Sequence, residues 1–346
     1  MRNAVTLAFA LAACQSPPAS APVMSSTSSP VTTSPSNSEE HPVGFRLFDG
    51  VDPVSGVAMP MTLFYPAATG ALDARTQIGP YPIAGSKDAP IQTGRYPLVA
   101  ISHGHGGTNL GHHDLASALA RHGYVVVTME HIGDSYRDTS GARTARVALG
   151  RANQVSSAID AALADPAVGP HVDKDKIGVA GFSMGGWTSL LVVGAKPTFA
   201  RFGEYCQRHP DDKEMCGEAI EISSPPQKPT HDPRVKAAFA MAPLAIPFGP
   251  DAFTTVTAPI YLYWATEDHL LLPDENAKNV MAAPSLRGKT PIAGADHYVF
   301  LAPCTAAMAK HAGEICTDPP GIDREAWHTK MDADAVGFFD RELHHR

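Results

Sequence analysis

No apolar run in these 346 residues approaches the roughly 18–20 needed for a membrane-spanning helix. A bundle of transmembrane helices is therefore excluded. Basic residues are in deficit: 27 Lys and Arg stand against 35 Asp and Glu, a formal charge of −8. A nucleic-acid binder needs basic stripes to neutralise phosphates, and this balance argues against one. Neither C-x-x-C nor H-E-x-x-H spacing occurs, so the usual zinc frameworks are missing and no metal is expected. No internal repeat is present, which removes solenoids and propellers.

What remains is an ordinary globular composition, 44% apolar and 18% charged, long enough for one large domain with an ample core. The first residues read as a targeting segment. Arg2 supplies a positive charge, a short apolar stretch spans 4–13, and Leu11-Ala12-Ala13-Cys14 resembles the bacterial lipobox. The expectation is a signal peptide over 1–14, lipidation at Cys14, and a chain anchored in the cell envelope, facing periplasm or exterior. Residues 15–41 are rich in Ser, Pro and Thr and predict a disordered tether. The catalytic domain is assigned to 42–346.

Four further cysteines fall in two close pairs, Cys206/Cys216 and Cys304/Cys316. In an oxidising compartment this number and spacing suit two local disulfides, although four cysteines allow three connectivities.

From residue 44 onward, β-like runs alternate with helical ones. Strands are predicted at 45–48, 61–65, 98–102, 124–129, 177–181, 235–241, 260–264 and near 290–293. Helices are predicted at 113–121, 144–164, 187–193 and 324–343. The later strands are continuous apolar runs, the signature of a parallel sheet buried on both faces. The alternation predicts a doubly wound, mostly parallel sheet with helices on both faces. Residues 199–232 break the pattern, being charged, Pro-rich and carrying one cysteine pair. They read either as a small cap or rim insertion or as a plain surface loop.

The most informative segment is Lys176-Ile177-Gly178-Val179-Ala180-Gly181-Phe182-Ser183-Met184-Gly185-Gly186. A buried strand runs into G-x-S-x-G-G and then a helix starting near Trp187, which is the nucleophile elbow of the α/β-hydrolase fold. The reversal forces Ser183 to positive φ, and only tiny neighbours fit on either side of it. A serine needs a base, and the base an orienting acid, in the chain order Ser, Asp/Glu, His. The strand at 260–264 leads to Asp268, with Glu267 and then Asp251 as weaker choices. The small-residue loop Gly294-Ala295-Asp296 leads to His297, and Asp296 reads as a carboxylate outside the triad. The loop His103-Gly104-His105-Gly106-Gly107 follows another buried strand. The N–H groups of His105 and of Met184 are the expected oxyanion donors. His103, His105, His112 and His113 lack the carboxylate or thiolate spacing of a metal site. His103 reads as structural, and His131 as a residue bordering the pocket or capping a loop.

The motifs Ser102–Gly107 and Gly181–Gly186, Asp268, and His297-Tyr298-Val299-Phe300-Leu301-Ala302-Pro303-Cys304 carry a family resemblance. Over roughly 44–316 the chain resembles bacterial α/β-hydrolases labelled predicted dienelactone hydrolases, which are similar to platelet-activating-factor acetylhydrolases. The resemblance implies ester hydrolysis without a cofactor, on a small-molecule ester. Dienelactone hydrolases themselves carry Cys in the elbow. This chain carries Ser183, so lactone specificity does not transfer. The Ser-Met-Gly-Gly form is similar to that of cutinases and polyester hydrolases. The expected activity is a serine carboxylic-ester hydrolase on small or short-acyl esters. Its rivals are a polyester depolymerase, a short-acyl phospholipid acylhydrolase, a prolyl-oligopeptidase-type peptidase (disfavoured for want of a large N-terminal region) and an anchored, non-enzymatic binding protein.

Overall fold

The computed structural model describes residues 40–142, 144–217 and 230–344. The signal segment with Cys14, the tether up to residue 39, and residues 218–229 of the insertion lie outside the described residues. His41, assigned to the tether, is held on the domain: its N–H donates to Arg121 C=O at 2.9 Å.

The chain opens with β1 (Val43–Val51), β2 (Ala58–Pro66), β3 (Thr76–Ile78), β4 (Tyr81–Ile83), β5 (Ser86–Lys87) and β6 (Tyr96–Ser102). Then follow α1 (His113–Arg121), β7 (Val125–Met129), α2 (Ala145–Ala164), β8 (Val172–Phe182) and α3 (Met184–Val192). The insertion carries α4 (Ala200–Arg208) and α5 (Lys213–Cys216). The last third holds β9 (Val235–Met241), β10 (Ile260–Ala265), α6 (Ala277–Met281) and β11 (Leu286–Ile292). It ends with α7 (Ala306–His311), α8 (Gly313–Cys316) and α9 (Arg324–Phe339).

Among the described residues, nine strands form one sheet in the order β11-β10-β9-β8-β6-β7-β2-β1-β5. From β11 to β7 all neighbours are parallel, while β2 pairs antiparallel with both β7 and β1. The period-2 geometry of a strand explains the continuous apolar runs. Leu98 and Ala100 point into a core beneath α2 and α3, whereas Val99 and Ile101 point into a second core beneath α1 and α9. With helices on both faces, every side chain of β6 and β7 is buried, so no polar alternation is needed there.

Strand order reverses at β6: β7 lies on one side of it and β8 on the other. In open α/β sheets the crevice at such a switch point, beyond the carboxyl ends of the strands, is where ligands bind. Ser102 and Gly181 are paired across this point, so the loop after β6 and the elbow after β8 emerge side by side.

Two differences from the sequence expectations have simple causes. The helix after the elbow starts at Met184 rather than near Trp187, because Ser183 is its N-cap residue and Ser183 C=O already accepts from Trp187 N–H at 3.0 Å. Strand β11 begins at Leu286. It is an edge strand whose alternate residues, Arg287 and Lys289 among them, face solvent, so its apolar signal is weak. The four cysteines form Cys206–Cys216 and Cys304–Cys316.

Candidate active site

Sterics make the elbow. Ser183 sits at φ 55° and ψ −116°, a region L-residues rarely occupy. A methyl on Gly181 would lie 2.1 Å from Gly185 O, and one on Gly185 would lie 1.9 Å from Ser102 O. Backbone therefore packs on backbone at both flanks, and only glycine fits. The strained turn is held from outside, since Ser183 N–H donates to Met241 C=O at 2.9 Å and Leu244 N–H to Ser183 C=O at 3.1 Å.

The three side chains singled out by the sequence are joined in series. His297 Nε2 lies 3.0 Å from Ser183 Oγ, and His297 Nδ1 lies 2.7 Å from Asp268 Oδ2. All three are buried. The other oxygen, Asp268 Oδ1, accepts the N–H groups of Leu270 at 3.0 Å and Leu271 at 2.6 Å. That anchoring leaves Oδ2 for the imidazole. The Nδ1–H tautomer follows from the carboxylate partner, and Nε2 is then free to accept from the serine hydroxyl. Phe182 packs against the His297 ring at 4.8 Å. Glu267 and Asp251 are both exposed and play no part in this array. Asp296 accepts from His269 N–H at 3.0 Å and from His297 N–H at 2.7 Å. Burial pushes its pKa up, but those two N–H groups together with the His269 ring outweigh it and hold the carboxyl below its ordinary value.

Backbone orientation defines where donors point. In a trans peptide the C=O and the following N–H are directed oppositely. Gly104 C=O accepts from His103 Nδ1 at 2.6 Å and from Gly107 N–H at 3.2 Å, so the N–H of His105 is turned the other way. Ser183 C=O is occupied by Trp187 and Leu244, which turns the Met184 N–H away from them. Both His105 and Met184 line the cavity of about 140 Å³ that contains Ser183. Trp187, Phe199, Phe202, Met215, Leu244, Leu270 and Leu271 make its wall apolar. The described part of the insertion thus borders the site, through Phe199, Phe202 and Met215. A larger cavity of about 910 Å³ shares His105 and has Gly104, Phe182 and Tyr298 in its wall.

The four clustered histidines have separate fates. His103 is buried beneath its loop, where its Nε2 accepts from His131 N–H at 3.0 Å. Burial and then the nearby Arg151 push its pKa down to about 3. His105 is exposed and hydrogen-bonds through Nδ1 to Asp134. That bond raises its pKa. His112 rests edge-on against Phe182, and His113 against Tyr81. Among the described residues, no group of three or more His, Cys, Asp or Glu is arranged to hold a metal. His131 does not border the pocket. It is fully buried, with Nε2 2.8 Å from Ser102 Oγ and Nδ1 2.7 Å from Gln154 Oε1.

The buried layer beneath these loops went unread in the sequence. Arg151, Asp134 and Thr188 belong to no motif. The one available signal was spacing: Arg151 falls on the Ala148–Val155 stripe of α2, the face a helix buries.

A parallel sheet with a switch-point elbow and helices on both faces defines an α/β-hydrolase. Residues 83–225, which include the elbow and the His105 loop, match the model of the Dienelactone hydrolase family. The chain is 33% identical over 110 residues to Cutinase 2 of Thermobifida cellulosilytica, covering 31% of this chain and 38% of that protein. Cutinase cut1 of Thermobifida fusca is likewise 33% identical over 110 residues, 31% of each chain. The similarity thus spans about a third of the length of the curated relatives it matches. A ferulic acid esterase from Streptomyces cinnamoneus shares the fold with a TM-score of 0.57 at 19% identity, over 88% of this chain and 91% of that one.

Proposed function

We propose that this protein is a serine carboxylic-ester hydrolase acting through Ser183, His297 and Asp268. The observation that carries the reading is the unbroken hydrogen-bond series from Asp268 through His297 to Ser183, at 2.7 and 3.0 Å. Three residues far apart in sequence meet in the geometry of a nucleophile, its base and an orienting acid.

His297 Nε2 takes the hydroxyl proton as Ser183 Oγ bonds to the ester carbonyl carbon. The carbonyl oxygen gains the negative charge and is received by the N–H groups of His105 and Met184. Asp268 stabilises the imidazolium and keeps its tautomer. His297 then protonates the departing alcohol as the C–O bond breaks, leaving an acyl-Ser183. Water, deprotonated by His297, attacks the acyl carbon; the bond to Ser183 Oγ then breaks, His297 returns the proton to Oγ, and the acid leaves. Each oxyanion donor is worth about 10²–10³ in kcat.

The cavity at Ser183, about 140 Å³, is near the volume that holds one benzene in an engineered core, which supports a small or short acyl group. The cutinase similarity and the adjoining cavity of about 910 Å³ favour a second reading, a polyester depolymerase whose chain extends past His105. We also propose that Cys14 carries a lipid that anchors the enzyme in the cell envelope.

The test is a series of p-nitrophenyl esters of rising acyl length, a polyester film and a short-acyl phospholipid, together with a fluorophosphonate probe. The expected result is hydrolysis falling off with acyl length and a covalent adduct on Ser183 that is lost in Ser183→Ala. Folded protein with neither turnover nor adduct would leave a non-enzymatic binding protein as the reading. Soluble products from the film would select the depolymerase. Palmitate incorporation that disappears in Cys14→Ala tests the anchor.

A further inference from the structure

We infer that Arg151 is a positioning residue for the oxyanion hole: one buried guanidinium ties the loop of His105 to the helix of Met184. The inference rests on the ester-hydrolase reading and deepens it.

Arg151 has no solvent exposure. Burying a cation is costly unless each donor is met, and an apolar residue would fill the same space more cheaply. Its donors are distributed over both sides of the site. Nε donates to Thr188 Oγ1 at 3.1 Å, and Thr188 Oγ1 donates in turn to Met184 C=O at 2.8 Å. That arm reaches the first turn of α3, at the residue that offers one oxyanion donor. Nη1 donates to Asp134 Oδ2 at 2.6 Å. Asp134 Oδ1 accepts from His105 Nδ1 and from Gly106 N–H, the latter at 3.4 Å. That arm grips the residue that offers the other donor. Nη2 donates to His103 C=O and, at 3.4 Å, to Ser102 Oγ, fixing the peptides where β6 becomes the loop.

The charge of Arg151 also sets the state of its neighbours. Burial first, then the guanidinium, holds His103 and His131 far below the ordinary imidazole pKa, so both stay neutral. Each is then donor at one nitrogen and acceptor at the other. Ser102 Oγ–H donates to His131 Nε2, His131 Nδ1–H to Gln154, and His131 N–H to His103 Nε2. His103 Nδ1–H is thereby directed at Gly104 C=O, the carbonyl whose peptide carries the His105 N–H. A protonated His103 could not accept from His131, and the relay would break.

The end of β6, the loop after β7 and helix α3 thus meet on a single planar group with five donors. Lysine could keep the charge but could reach only part of this set. Loss of the fork would leave Ser183, His297 and Asp268 in place while loosening the two donors.

The test compares Arg151→Lys and Thr188→Val with the unmutated enzyme. Active sites are counted by fluorophosphonate labelling taken to completion. Then kcat and KM are measured per labelled site, alongside the Ki of a trifluoromethyl ketone, which adds Ser183 Oγ and places an oxyanion in the hole. Arg151→Lys should lower kcat about 100-fold, the effect of one lost donor, with KM changed less than about threefold. The Ki should rise by the factor by which kcat/KM falls. Thr188→Val, which cuts only the Met184 arm, should lower kcat about tenfold with the same parallel rise in Ki.

Unchanged per-site kcat and Ki in both variants would overturn the inference, because a purely structural arginine alters only the number of folded sites. If Arg151→Lys fails to fold, Thr188→Val decides. An unmutated enzyme without turnover or adduct would instead defeat the ester-hydrolase reading.

Discussion

Replacing Asp268 by asparagine changes one atom, and the structure dictates which way the amide must face. Oδ1 is bound by the N–H groups of Leu270 and Leu271, so the asparagine oxygen has to occupy that side. Facing it the other way would strand two buried N–H donors, at about 1–3 kcal/mol each. The amide NH₂ therefore lands where Oδ2 stood, 2.7 Å from His297 Nδ1. Two donors cannot share that contact, so the imidazole proton moves to Nε2. That nitrogen, 3.0 Å from Ser183 Oγ, then donates to the hydroxyl and cannot remove its proton. Restoring the active tautomer requires the flipped amide, about 2–6 kcal/mol uphill. Such a penalty is commensurate with the roughly 10⁴-fold loss, about 5.4 kcal/mol, caused by the same change in Ser-His-Asp proteases. The assay is kcat for a p-nitrophenyl ester, with a thermal melt to show that the fold persists. Asp268→Asn retaining more than a tenth of the original kcat would refute the assignment of Asp268 and its fixed rotamer.

Gly185→Ala should fail to give a stable elbow, because its methyl would sit 1.9 Å from Ser102 O, a backbone atom; the cost should exceed the usual 1–3 kcal/mol of overpacking, read as the loss of a cooperative melt at the native midpoint. The protein should lose stability in acid below pH 6.5. His103 and His112 are depressed to about 3 and about 4 by burial, and His131 lies well below its ordinary value, so the unfolded chain binds protons that the native state refuses. Each contributes a slope of about 1.4 kcal/mol per pH unit below 6.5. His105 and His328, both raised, do not offset this loss, because their stabilisation is already complete below 6.5 and fades only as pH rises through their folded values. A flat melting midpoint between pH 6.5 and 4.5 would contradict the argument. Removing the Cys206–Cys216 bridge should destabilise the insertion by up to about 3 kcal/mol in the chain-entropy account. Because Phe202 and Met215 line the Ser183 cavity, the same change should relax acyl-length preference in the ester series; an unaltered preference would show that the insertion does not shape the site.

The elbow was legible because its constraint is local. At Gly181 the clash is with Gly185 O, four residues on, which the chain carries wherever it folds; at Gly185 it is with Ser102 O on the neighbouring strand. The central strands were legible because burial on both faces removes polar residues from them. The edge strand β11 and the start of β8 at Val172, where Asp173, Lys174 and Asp175 face outward, were not, because half-exposed strands dilute that signal. His131 was misread for the opposite reason: a histidine is equally at home lining a pocket or buried in a relay, and only its partners distinguish the two.

Taken alone, the sequence determined the turn at Ser183, the alternation of strands and helices, and the order in which Ser183, Asp268 and His297 occur along the chain. Tertiary structure decided which of several acids and sixteen histidines are brought together, and that a guanidinium lies beneath the loops. Turns and periodicities are set by sterics between near neighbours. A hydrogen bond spanning 114 residues depends on the register of strands and the docking of helices across the whole sheet, which no short stretch of sequence encodes.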